Sequence, residues 1–410
     1  MKESGIEWIG KIPKNWEVNK LKNYFTFSKG RNAAKYTKEF VSAIGEYPVY
    51  SGQTENNGIL GYTETFEYDL NECLFTTTVG AKVMTLRLLK GRFSLSQNCL
   101  IMQKKKKSNI DYFYYFLQSL FEYEKSRIPS YMQPSLRVDD LNGYKVIIPD
   151  ENEQEKIAKF LNYSITLVDN LIVETRETIR ELKKYKQSII TETVTKGLDP
   201  NVKMKDSGIE WIGKVPEAWD VIKINRLFSI KKEIANKTGY DVLSVTQRGL
   251  KVKDITQNEG QMAADYSKYQ KVQPDDFVMN HMDLLTGWVD LAVQEGVTSP
   301  DYRVFYNKQK ELVFNRFYLY VFQICYLNKI FYGLGQGVSN YGRWRLQTDK
   351  FLNFYLPLPT LKEQTEIVNY LDFQTQKVDS LIQDKEKAIE ELEKYKKSLI
   401  YEYVTGKKQV

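Results

Sequence analysis

The chain has 410 residues, of which 42% are hydrophobic and 27% charged. That is globular composition, so wholesale disorder is excluded, and at roughly 150 residues per domain it accommodates about two to three domains. Lys and Arg (59) outnumber Asp and Glu (52), for a net charge of +7, which makes a polyanion one class of partner.

In chain order, the first notable segment is 4–18, SGIEWIGKIPKNWEV, because it returns at 207–221 as SGIEWIGKVPEAWDV, with eleven of fifteen positions identical at an offset of 203. A second repeat joins 153–195 to 363–405 without gaps at an offset of 210, with 19 of 43 positions identical. The middles, 19–148 and 222–358, do not align. The chain is therefore a tandem duplication whose frame was kept and whose inserts diverged, which implies a shared structural task for the frame and separate tasks for the inserts.

Within the first insert, strand-like runs at 47–51, 73–78, 82–88 and 98–103 lie between Gly52, Gly58, Gly61, Gly80 and Gly91, and a helix rich in aromatics is expected over 110–124, then a strand at 144–148. The segment 153–195 reads as one long helix of roughly 65 Å at 1.5 Å per residue. Asp150-x-x-Glu153 and Thr360-x-x-Glu363 are capping-box patterns, and Gly197 and Gly406 stand where a left-handed C-terminal residue belongs. The weak helix formers of 162–166 mark a place for a bend. Apolar residues recur every seven positions, as Leu161, Val168, Leu182 and Ile189 in the first copy and Leu371, Val378, Leu392 and Leu399 in the second, with polar breaks at Thr175 and Lys385. A second row is assigned to Leu171 and Tyr185, matched by Leu381 and Tyr395. These rows make a coiled-coil seam. Two copies of one seam in one chain pair most simply with each other, and an antiparallel pair avoids a long return connection. In the second insert, strands are expected at 240–246, 277–280, 288–293 and 302–306, an aromatic helix at 311–327 and a strand at 354–358. The fold class is thus α+β: two globular domains separated by two long helices forming an antiparallel coiled coil, in a pseudo-twofold tandem repeat. The divisions fall at 1–149, 150–206, 207–358 and 359–410.

Basic and amide side chains gather in the expected loops. In the first insert these are Gln53, Asn56 and Asn57, then Lys82, Arg87 and Arg92, and the run Lys104, Lys105, Lys106 and Lys107. In the second they are Gln247, Arg248, Lys251, Lys253, Asn280, His281, Arg303, Tyr341, Arg343 and Arg345. Arg reads guanine and Asn or Gln reads adenine through paired hydrogen bonds in the major groove, while Lys on phosphate positions a protein without specifying sequence. Both inserts therefore carry candidate DNA-binding residues.

Catalytic patterns are missing. There is no G-x-x-x-x-G-K-[ST] phosphate loop. The glycines at 333, 335 and 337 lack a third partner at Asn340 and do not sit between a strand and a helix. Asp150 with Glu181 and Lys183 fits a nuclease pattern only formally, because these residues lie in or beside the coiled coil. His281 is the only histidine, and Cys73, Cys99 and Cys325 are scattered without a C-x-x-C. This excludes a histidine-built metal site and favours a reducing, cytoplasmic setting over a disulfide framework. No run approaches the ~18–20 apolar residues of a membrane span, and the first residues hold no apolar signal core. Catalytic and metal-ligating residues are accordingly assigned to none of the chain.

The alternation of two unlike domains with two similar helical regions resembles the specificity subunit of a Type I restriction-modification system. The resemblance rests on Gly-Ile-Glu-Trp-Ile-Gly-Lys-x-Pro at 5–13 and 208–216, Leu-Pro-Thr-Leu-Lys-Glu-Gln at 358–364, and the segments 47–58 and 296–304. It spans essentially the whole chain. It implies that each insert is a target recognition domain reading one half of a bipartite site in double-stranded DNA. The helices then space the domains and dock two modification (methyltransferase) subunits, and restriction (translocase and nuclease) subunits join that core. S-adenosylmethionine, ATP and magnesium are expected on those partners and no cofactor on this chain, which is read as a non-catalytic, cytoplasmic subunit. The alternative is a tandem-domain DNA-binding regulator with a coiled-coil spacer, acting without methyltransferase partners.

Overall fold

The computed structural model describes residues 1–53, 56–254, 265–337 and 344–410. Two units divide the chain: 1–176 with 386–410, and 177–385. Each unit thus draws on both repeats.

The first unit holds β1 (Glu17–Lys20), β2 (Phe25–Lys29), β3 (Tyr47–Tyr50), β4 (Ile59–Thr63), β5 (Tyr68–Thr77), β6 (Leu86–Leu95) and β7 (Cys99–Lys104). Then come α1 (Ile110–Ser126), β8 (Lys145–Ile148) and α2 (Glu151–Lys196), the last of which belongs to this unit as far as Arg176. A six-stranded sheet runs β2-β7-β5-β6-β3-β4 and is antiparallel except where β3 meets β6. Its apolar strands are covered by α1, whose Tyr112, Phe113, Phe116, Leu117, Leu120 and Phe121 are all buried at helical spacing. Asn109 caps α1 by accepting from the Tyr112 backbone N–H at 3.0 Å. β1 and β8 pair separately, Glu17 opposite Ile148 and Lys20 opposite Lys145.

The second unit repeats this plan with a different sheet. β9 (Asp220–Lys223) and β10 (Phe228–Lys231) are followed by the ribbon strands β11 (Leu243–Thr246) and β12 (Gly249–Val252). After these come β13 (Gln270–Val272), β14 (Phe277–Met279), β15 (Val289–Leu291), β16 (Gly296–Thr298) and β17 (Arg303–Asn307). The aromatic helix α3 (Asn315–Leu327), β18 (Tyr355–Leu358) and α4 (Leu361–Val404) complete it, α4 belonging here as far as Lys385. A four-stranded antiparallel sheet runs β10-β17-β14-β15. β9 pairs with β18 as β1 pairs with β8, Asp220 opposite Leu358 and Lys223 opposite Tyr355.

The repeated residues make the same bonds twice. Trp16 Nε1 donates to Glu153 Oε2 at 2.7 Å, and Trp219 Nε1 to Glu363 Oε1 at 3.0 Å. The buried Gln154 accepts from the Asn109 N–H at 3.2 Å and donates to the Pro149 carbonyl at 2.9 Å. Gln364 does likewise with the Phe314 N–H at 2.8 Å and the Pro359 carbonyl at 3.0 Å. The Glu-Gln repeat therefore ties the start of each long helix both to the tryptophan of the frame and to the N-terminus of the aromatic helix, which leaves no buried amide orphaned there. Each long helix ends on a glycine with positive φ, +76° at Gly197 and +70° at Gly406. A Cβ on Gly197 would lie 3.2 Å from the Trp219 ring, and one on Gly406 3.1 Å from that of Trp16 and 2.4 Å from Pro13. Both sites need glycine for its backbone freedom and for close approach.

The helices pair antiparallel within each unit. In the first, Phe160 meets Tyr403 (ring centroids 4.4 Å apart), Asp169 meets Lys396 and Arg176 meets Glu393 at 3.1 Å, so one number rises as the other falls. In the second, Lys186 meets Asp379, and Ile190 and Val194 share a core with Ile367, Val368 and Leu371. In the seven-residue row, Leu161, Val168, Leu371, Val378 and Leu399 are buried, and Leu182, Ile189 and Leu392 partly so. The second row differs. Leu171, Tyr185, Leu381 and Tyr395 are 49%, 53%, 50% and 54% exposed. The row that packs is one residue further on, with Ile165, Ile172 and Ile179 in α2 and Thr375 and Ile382 in α4 buried. The steps then alternate four and three, which is the spacing of a two-row seam. α2 is also unbroken through 162–166, where the Thr166 hydroxyl donates to the Asn162 carbonyl at 2.6 Å.

Candidate nucleic-acid interface

In the second unit the structure gathers five of the candidate residues around one β-ribbon. β11 and β12 pair antiparallel, Leu243 opposite Val252 and Thr246 opposite Gly249, so Gln247 and Arg248 form a two-residue turn. Strand alternation sends Leu243, Val245 and Leu250 into a core with Val272, Val278 and Val304. The opposite face, Ser244, Thr246 and Lys251, lines an open groove of about 590 Å³ together with Lys253, Asn280 and Tyr302. Its hydroxyl, amide and ammonium groups can meet phosphate and base edges, and the carboxylates of Asp283 and Asp301 share the lining, where they can accept from base amino groups. Gln247 and Arg248 are exposed at the tip.

The turn is held from beneath by a residue that the sequence does not point to. Asp290 Oδ2 accepts from the Leu250 N–H at 2.7 Å and Oδ1 from the Leu291 N–H at 2.9 Å. Thr246 Oγ1 donates to the Gly249 carbonyl at 2.9 Å and accepts from the Arg248 N–H at 3.1 Å. Gln247 Nε2 donates to the Thr286 carbonyl at 3.3 Å. The one local signal for Asp290 is Gly249, whose missing Cβ makes room for the carboxylate; its partner forty residues away is visible only in three dimensions.

Other candidates of this unit face inward. Arg303 is 4% exposed: its Nη2 donates to the Leu346 carbonyl at 3.0 Å and its guanidinium lies 4.5 Å from the Phe351 ring centroid. Burial lowers its pKa to about 10. His281 is 6% exposed, and burial, with the charges of Arg303 and Arg345, holds its pKa down at about 3. Its Nδ1 has no hydrogen-bond partner among the described residues. Both are core groups in this fold, not surface contacts. Arg345 is exposed, and Tyr341 and Arg343 lie outside the described residues.

In the first unit a loop and a lysine run separate. Asn56 and Asn57 are exposed, with φ of 47° and 52°, a left-handed backbone that Asn tolerates. The Gln53 side chain donates to the Ile59 carbonyl, and Arg87 Nη2 donates to the Gln53 carbonyl at 3.3 Å, so Arg87 supports the loop from below. Arg92 is paired with Asp69 at 3.0 Å, and Lys82 is exposed. The lysine run is tied to the protein itself: Lys104 to Glu72, Lys105 Nζ to the Lys22 carbonyl at 2.9 Å, Lys106 over the Tyr24 ring and Lys107 to Glu151 at 3.3 Å. It sits at the entry to α2.

The outer sides of the long helices carry a second surface. Tyr163, Leu171 and Tyr395 in the first unit are 67%, 49% and 54% exposed; Phe373, Leu381 and Tyr185 in the second, at the same repeat positions, are 56%, 50% and 53% exposed. Among the described residues no group of His, Cys, Asp and Glu is placed to hold a metal ion, and no helix is long and apolar enough to cross a membrane.

The two units are unlike α+β domains that share one duplicated helical frame. The model of the type I restriction modification DNA specificity domain matches this chain twice, at residues 13–181 and 216–393. The MjaVIII specificity subunit of a type I restriction enzyme from Methanocaldococcus jannaschii is 25% identical over 98% of this chain and 94% of its own length. The putative MjaX specificity subunit from the same organism is 26% identical over 98% and 96%. Among solved structures, a chain from a study of complex assembly and conformational transition of the type I R-M system superposes with a TM-score of 0.67 at 13% identity, over 96% of this chain and 98% of that one. The HsdS subunit from Thermoanaerobacter tengcongensis gives 0.50 at 13% identity, over 97% and 98%. The chain belongs to the type I restriction-modification specificity family and carries two of its recognition domains.

Proposed function

We propose that each recognition domain reads one half of a bipartite site in double-stranded DNA, and that the helices dock two modification (methyltransferase) subunits. Restriction (translocase and nuclease) subunits then join that core in the cytoplasm. This chain supplies the address, directing methylation and restriction, and contributes no catalytic group; S-adenosylmethionine, ATP and magnesium belong to the partners. The observation that carries the reading is the duplicated frame. Trp16–Glu153 and Trp219–Glu363, with Gln154 and Gln364, build the same scaffold around two unlike inserts. A scaffold made twice serves one task twice, which fits the docking of two like subunits. Inserts that differ in sheet and in exposed polar side chains fit the reading of two different sequences. The matched exposed positions Tyr163, Leu171 and Tyr395, and Phe373, Leu381 and Tyr185, support docking, since apolar side chains repeated on a solvent face are typical of an interface.

The experiment is affinity purification of the tagged chain from its host, with genome-wide mapping of methylated bases in strains that have and lack its gene. A co-purifying methyltransferase, and the loss of one bipartite class of methylated sites in the deletion strain, are expected. A chain that purifies without a methyltransferase and leaves the methylation map unchanged would contradict the proposal.

A further inference from the structure

We propose that the β11–β12 turn is the base-reading tip of the second recognition domain, that Arg248 takes a guanine edge in the major groove, and that Asp290 is the positioning residue that aims it. The inference rests on the bipartite-reading proposal and names the element and the base.

A two-stranded ribbon fits the major groove of B-DNA, and the Arg fork matches the O6 and N7 acceptors of guanine. Here the ribbon is braced on its inner face by Val245 and Leu250 in the core, while Ser244, Thr246 and Lys251 face the groove. At the tip, the side chains beside Arg248 are bonded to the protein. The Gln247 amide leans on the Thr286 carbonyl, Thr246 closes the turn on Arg248 N–H and Gly249 C=O, and Asp290 clamps Leu250. The Arg248 guanidinium has no partner among the described residues and is exposed. A flexible Arg on a floppy turn would lose much of its contact energy to ordering; a turn fixed at folding leaves the side chain, and not the backbone, to order on binding.

Asp290 spends both carboxylate oxygens on backbone amides, one in its own strand and one in the ribbon. Its bonds are to the ribbon and to its own strand, so its influence on DNA runs through the ribbon. Gly249, with φ +98°, is part of the same device: a Cβ there would stand 2.6 Å from Asp290 Oδ2.

The test is selection from a randomised duplex pool by the full chain purified with its modification partner, read by sequencing. Failure of the unaltered chain to enrich any bipartite motif would remove the proposal on which this inference rests. Given such a motif, Arg248→Ala should lose preference for guanine at one position of one half-site by roughly 10- to 100-fold, with the other half-site unchanged. Asp290→Ala should relax that same position, and the double variant should relax it no further. Asp290→Asn, which keeps one acceptor oxygen, should give a smaller relaxation and covers the case in which the alanine variant does not fold. Arg248→Ala with every base preference intact would overturn the reading role. Asp290 variants that weaken all sequences alike would make Asp290 a fold residue and overturn its positioning role.

Discussion

Lys396 Nζ lies 2.6 Å from Asp169 Oδ1 in the first unit, and Lys186 Nζ lies 2.7 Å from Asp379 Oδ2 in the second. With the repeat offset of 210, these are one ion pair made twice, with the roles of the two helices exchanged. Both lysines occupy seam positions, continuing the row that holds Ile172 in α2 and Ile382 in α4, and their stems are half-buried. A charge in an apolar row is tolerated because its stem packs while its head reaches a carboxylate.

Removing the carboxylate strands a half-buried ammonium, whereas removing the lysine leaves an Asp that faces solvent. Asp169→Ala should therefore cost about 1 kcal/mol, while Lys396→Met should be neutral or slightly stabilising. Urea unfolding of the two variants checks the asymmetry; equal losses would show that the pair is not organised in this way.

Neighbouring residues of α2 separate folding from assembly. Ile172 is 6% exposed and Leu171 is 49% exposed. Ile172→Asp should cost at least about 3 kcal/mol and unfold the helix pair. Leu171→Asp should leave the melting temperature within a few degrees yet reduce methyltransferase capture in a pull-down. Retained capture by a folded Leu171→Asp chain would remove this face from the docking surface.

His281 gives the second unit a pH dependence. Unfolded, its imidazole takes up a proton as pH falls below about 6.5; folded, burial and the charges of Arg303 and Arg345 keep it neutral down to about 3. Stability present above pH 6.5 is therefore lost as the pH falls towards 3, by up to roughly 2 kcal/mol at pH 5. His281→Gln removes the titrating group, so its stability should change less between pH 7 and pH 5 than that of the unaltered chain. Parallel pH profiles for the two would show that His281 titrates normally.

Lys251 is exposed on the groove side of the ribbon. If it contacts phosphate, Lys251→Gln should weaken cognate and random duplexes alike and lower the log–log salt slope by about 0.9. A loss confined to the cognate sequence would move it to a base edge.

Much of this fold was legible because the duplication prints its frame twice. The Glu-Gln pairs announced the helix starts, although their bonds to Trp16, Trp219 and the aromatic helices exist only in the folded chain. The seam shows where residue type misleads. Leu171 and Tyr185 look like better seam residues than Lys186, but an a/d pattern steps by four and three, so from Val168 the next inward position is Ile172. Arg303 and His281 were read as surface groups because sequence does not register burial; the core around Leu346 and Phe351 comes from segments more than forty residues away. The ribbon was half visible. β11 carried a strand pattern, but β12 fell among the expected loop residues Arg248, Lys251 and Lys253, and the one local signal for Asp290 was the glycine at 249.

The claim that the two inserts read independently is tested most directly by exchange. Residues 20–145 would be replaced by the corresponding insert of another family member, and the methylated sites of the resulting strain sequenced. The account predicts that one half of the recognised sequence changes and the other is retained. A change in both halves, or in neither, would contradict it.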